Sequence, residues 1–79
     1  MKYTFEELVK DLEMGHEVEF WFEDNKYSIS HNENGWFFKK FGDEFFQTYT
    51  DPSSLLAKVK VDSKSLKEIW NEVKIESVF

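Results

Sequence analysis

Hydrophobic residues first recur at helical spacing, with Phe5, Leu8, Val9 and Leu12 at i, i+3, i+4 and i+7 and Glu6, Glu7, Lys10, Asp11 and Glu13 off that stripe. Thr4 with Glu7 fits a capping box and Gly15 a left-handed stop, so a helix is expected over about residues 5–14. The period then shortens to two. In Glu17-Val18-Glu19-Phe20-Trp21-Phe22-Glu23 the alternation predicts a strand with Val18, Phe20 and Phe22 inward, and Trp21 falls on the side of the acids. A turn at Asp24-Asn25-Lys26 precedes a partner strand, Tyr27-Ser28-Ile29-Ser30-His31. The Asn-Gly signal in Asn32-Glu33-Asn34-Gly35 then introduces two further strands, 36–41 and 45–50, joined by Gly42-Asp43-Glu44.

Asp51 before Pro52 places a capping acid ahead of a proline at the first helical position, which predicts a short helix through Lys58. Val59-Lys60-Val61 reads as extended and Asp62-Ser63-Lys64 as a turn. Ser65 with Glu68 forms a second capping box, and Leu66, Ile69, Trp70 and Val73 repeat the helical stripe over about residues 65–73. Residues 74–79, with Ile75, Val78 and Phe79, are a candidate fifth strand. The expected fold is one α+β domain over residues 1–79: a four-stranded antiparallel meander with an N-terminal helix and two C-terminal helices on one face. Leu8, Leu12, Phe20, Leu66, Ile69 and Trp70 are the expected core.

Composition sharpens this picture. A chain of 79 residues supports one core, and with no cysteine that core has no disulfide or thiolate metal site to assist it. Eleven of the fifteen aromatic residues lie between Phe20 and Tyr49, so aromatic bulk supplies much of the packing. The net charge of −6 is uneven, running −5 over residues 1–23, −2 over 24–51 and +1 over 52–79. All ten basic residues are lysines, and the pattern sets only Lys39 and Lys40 within the sheet, a balance that opposes nucleic-acid binding. The N-terminus lacks the apolar run of a signal peptide and no segment reaches membrane-spanning length, which predicts a cytoplasmic protein that does not engage a membrane.

Candidate chemistry is sparse. There is no nucleophile elbow, phosphate-cradling glycine loop or paired-histidine zinc motif, and the glycines Gly15, Gly35 and Gly42 each fit a stop or a turn. His16 and His31 lack companions at ligand spacing, although His31 has Asp24 and Glu33 as nearby acids, and Glu17/Glu19 and Asp43/Glu44 read as solvated carboxylates. No metal, no cofactor and no enzymatic role are expected.

Parity is the informative feature. Three consecutive rings, Trp36, Phe37 and Phe38, cannot all face the helices, and Trp21 opposes Val18, Phe20 and Phe22 of its own strand. Large rings must therefore occupy the second sheet face. Trp21, Trp36 and Phe37, rimmed by Glu17, Glu19 and Glu23, form the candidate partner site, because aromatic anchors within a charged rim suit an interface.

The run Gly15-x-Glu17-x-x-Phe20-x-Phe22 ahead of an aromatic hairpin, followed by Leu55-Leu56-x-x-Val59-x-Val61-Asp62-x-x-x-Leu66-x-x-Ile69-Trp70, resembles small uncharacterised proteins of Gram-positive bacteria and their phages. The resemblance spans most of the chain, its motif is structural, and it implies no activity. The expected function is non-enzymatic protein binding, as an acidic inhibitor or immunity-type protein facing a basic partner, or self-association. The alternative is a small enzyme or ligand carrier with an aromatic pocket between sheet and helices.

Overall fold

The computed structural model describes residues 2–79. Helix α1 (Phe5–Glu13) begins on the Thr4–Glu7 capping box, with the Thr4 side chain accepting from the Glu7 amide and the Glu7 carboxylate accepting from the Thr4 amide. It ends at Gly15 (φ 88°), where the His16 amide donates to Asp11 O and the Gly15 amide to Leu12 O, so a left-handed residue closes the last turn. Strands β1 (Val18–Phe22), β2 (Asn25–Asn32), β3 (Gly35–Lys40) and β4 (Gln47–Tyr49) form the meander. Helix α2 (Pro52–Lys58) starts on Asp51, whose carboxylate accepts from the Ser54 amide.

A two-stranded ribbon, β5 (Lys60–Val61) with β6 (Lys64–Ser65), follows, then α3 (Leu66–Ile69), a 3₁₀ turn (Trp70–Glu72) and β7 (Lys74–Val78). The candidate fifth strand is therefore present. It lies antiparallel to β1 and completes a five-stranded sheet in the order β4-β3-β2-β1-β7. The segment from α2 to the 3₁₀ turn thus carries the chain from one sheet edge to the other.

Cross-strand partners share a face, so the register assigns both sides of the sheet. Val18↔Ile29, Phe20↔Tyr27 and Ile29↔Phe38 face the helices, and all five residues are buried. The core has one aromatic spine: the Phe20 ring meets Trp70 edge-on at 5.1 Å and stacks on Tyr27 at 5.4 Å, and Tyr27 stacks on Phe38 at 5.5 Å. All six residues expected in the core are buried, joined by Leu55, Val59 and Val61 from the crossing segment. The Trp70 indole N–H, which burial would otherwise strand, donates to Tyr3 O at 3.1 Å.

Three boundaries differ from the sequence reading. The first hairpin turns on Glu23 (φ 49°) and Asp24 (φ 66°), because Phe22 pairs with Asn25 and leaves a two-residue loop that only left-handed backbone closes without splaying the strands. Strand β4 holds only three residues, so Phe45 and Phe46 belong to the loop before it. The last helix is one α-turn followed by a 3₁₀ turn, since the chain must extend by Val73 to enter the sheet. Gly35 (φ 136°) is fixed by close approach, because a Cβ there would lie 2.7 Å from Tyr49 O in the neighbouring strand.

The β5–β6 ribbon also turns on two non-glycine residues in left-handed backbone, Asp62 (φ 51°) and Ser63 (φ 68°). Ser63→Gly should raise stability by about 0.5–1 kcal/mol, relief of the left-handed strain exceeding the added chain entropy, and a urea titration reads the shift directly. The Tyr3 hydroxyl donates to Asp11, and burial, that hydrogen bond and the Asp11 charge push its pKa up. A raised folded pKa gives stability that is complete below the unfolded value near 10 and is lost as pH rises through the folded value. Stability should therefore fall above about pH 10, and in Tyr3→Phe the alkaline slope should be shallower.

Candidate functional site

Helices and the β5–β6 ribbon cover only one side of the sheet. On the other side, the register places Glu19, Ser28 and Lys39 in one cross-strand row, Trp21 beside Lys26 in the next, and Phe37 between Ser30 and Thr48 in a third. Phe41 extends the second row, since its amide donates to Lys26 O at 2.9 Å.

Trp21 is 38% exposed, as its parity with the acids of β1 predicted. Its indole N–H donates to Glu76 Oε1 at 2.8 Å, and β7 reaches this position through a register shift that leaves Glu76 as the extra residue in the strand. The Lys26 ammonium lies between two rings, 4.8 Å from the Phe41 centroid and 5.9 Å from that of Trp21, and 3.4 Å from Glu19 Oε1. Phe37 meets Phe46 edge-on at 5.3 Å. Together with Lys39 these two rings wall a shallow groove of about 240 Å³ floored by Ser28, Ser30 and Asn32.

The candidate residues separate on this geometry. Trp21 and Phe37 share the uncovered face. Trp36 does not: it pairs with His31 and Tyr49 on the helix side, lies 4.3 Å from the His31 ring and packs against the core. Two of the three expected rim acids are already engaged, Glu17 accepting from the His31 amide at 3.2 Å and Glu19 pairing with Lys26. Glu23 stands exposed on the hairpin turn. The rim is therefore mixed in charge, with Lys26 and Lys39 among the rings.

Sequence reasoning missed Phe41 and Phe46, which are 47% and 54% exposed. The signal for Phe41 was present in the pairing arithmetic, since once Phe37 points outward Lys39 and residue 41 must follow it, whereas Phe46 lies in a loop where alternation gives no guide.

Other surfaces offer less organised chemistry. A depression of about 350 Å³ at the sheet end is lined by Tyr27, Phe38, Lys40, Asp43, Lys60 and Asp62 among others. Burial, then the Asp62, Asp43 and Glu23 charges, push the Tyr27 phenol up, so it stays protonated and is no base near neutrality. A second depression of about 440 Å³ lies beside Trp21, bordered by Glu23, Asp24, Glu72, Lys74 and Glu76. His31 turns its Nε2–H to Gly15 O at 2.7 Å, and among the described residues no three His, Asp or Glu side chains converge as metal ligands. No described helix is long and apolar enough to cross a membrane. The chain matches no family model, no curated protein and no solved structure.

Neighbouring residues of β1 provide a test of the two faces. Trp21→Ser should cost clearly less unfolding free energy than Phe22→Ala, which should lose about 3–5 kcal/mol. Urea unfolding of both variants checks the assignment. Equal losses would mean that Trp21 is core.

Proposed function

We propose that the protein is a non-enzymatic protein-binding module whose contact surface is the uncovered sheet face. One observation carries this reading: Trp21, Phe37, Phe41 and Phe46 gather on the side of the sheet that no helix covers. Rings that keep open area on one face suit association, since that area is available for burial in a complex. Lysines and acids alternate among the rings, which favours a partner of mixed rather than purely basic charge. Serines and a threonine between the rings keep the floor low, so that a partner can seat against the backbone ribbon.

The test uses the intact protein as bait in an extract of its source cell, beside a Trp21→Ser, Phe37→Ser double variant verified to melt like the parent. The parent should retain a defined protein that the double variant loses. Identical capture by both baits would remove the uncovered face as the contact surface.

A further inference from the structure

We propose that the uncovered face is self-complementary and that its partner is a second copy of this chain, the two sheets packing face to face about a twofold axis along β2. This deepens the reading of that face as a protein-binding surface and rests on it.

The inference follows from where charge and rings lie relative to the middle strand. Strand β2 is third of five, with β3 on one side and β1 on the other. Within one row, Lys39 and Glu19 flank Ser28; in the next, Phe41 and Trp21 flank Lys26. A twofold axis along β2 exchanges the β3 side of one copy with the β1 side of the other. Lys39 of each copy then faces Glu19 of the other, and Phe41 of each faces Trp21 of the other. An isologous interface requires such a pattern, in which opposite features sit at equal distances on either side of the axis.

The axis itself passes over Ser28 and Ser30, whose small side chains allow two faces to approach to the spacing of stacked sheets, about 10 Å. Lys26 lies on the axis as well, so the two copies' ammonium groups approach each other, each held by Glu19 at 3.4 Å within its own copy. In the dimer Glu19 stands between that ammonium and Lys39 of the other copy.

Edge pairing is the competing route to self-association, and both edges oppose it. Strand β4 has three residues, and β7 carries a bulge at Glu76 and a lysine at position 74, features that blunt an edge against strand addition. The face is also of workable size. Five strands at about 4.8 Å and some six residues at about 3.4 Å give roughly 500 Å² a side, which sets a weak, concentration-dependent dimer at the low end of specific interfaces.

Sedimentation equilibrium from about 10 μM to 1 mM reads this, a range that spans the affinities expected of so small an interface. The weight-average mass of the parent should climb from that of one chain, 9.5 kDa, towards twice that value. Lys39→Glu and Glu19→Lys should each weaken association by about tenfold or more, and the double exchange should restore it to within about threefold, because like charges become opposed pairs again. Phe41→Ser, at an exposed position, should weaken it without altering the melt. A parent that stays monomeric to about 1 mM overturns the proposal, as does a dimer indifferent to both single charge reversals. If the parent is monomeric while the bait variant still loses a different protein, the second copy fails and the binding face stands. If the two baits also capture the same proteins, both readings fail.

Discussion

The contact between Phe20 and Trp70 holds the two halves of the molecule together. Phe20 sits in β1, between β2 and β7, while Trp70 closes the segment that crosses the helix layer, and their rings meet at 5.1 Å. Through Trp70 the contact extends to the N-terminus by way of the indole N–H and Tyr3 O, and through Phe20 to Tyr27 and Phe38 across three strands. A domain this small has few residues to spare for a core, so large rings in mutual contact supply area that more numerous aliphatics supply elsewhere. The absence of buried polar or charged side chains among the described residues fits that economy: every fully enclosed position is apolar.

The same shortage of chain explains why the sheet is one-sided. α1, α2, the β5–β6 ribbon and the short helical turns cover one face of the five strands, and among the described residues no element covers the other. The chain nevertheless places rings there, with a lysine between two of them and serines at the centre. A solvated sheet face ordinarily alternates to small and polar residues throughout. Here the alternation is kept at Ser28 and Ser30 and departed from at Trp21, Phe37 and Phe41, so the exceptions fall to either side of the middle strand.

Much of the architecture was legible in the sequence because it depends on local rules. Both capping boxes, the proline-started helix and the inward set Val18, Phe20 and Phe22 follow from spacing alone. The left-handed turn at Glu23-Asp24 was not legible, because neither residue is glycine and the strain is accepted only to keep Phe22 and Asn25 in register. Phe45 and Phe46 read as strand since aromatic residues fit pleated surfaces, yet Phe45 is 83% exposed in a loop. For the candidate site, the outward placement of Trp21 was available from parity. Which of Trp36 and Phe37 would face outward was not, because adjacent residues differ only by a register that β2 decides.

Strand β1 is made early in the chain, and one of its two neighbours, β7, is made some fifty residues later. The intervening β2–β4 meander can pair as it emerges, but β1 keeps an open flank until Lys74–Val78 arrives, and Phe20 lacks its edge-on ring until Trp70 does. During synthesis the nascent chain therefore carries an unprotected inner strand rich in aromatics, the kind of segment that holding chaperones bind. Completion of the last strand removes that liability in one step.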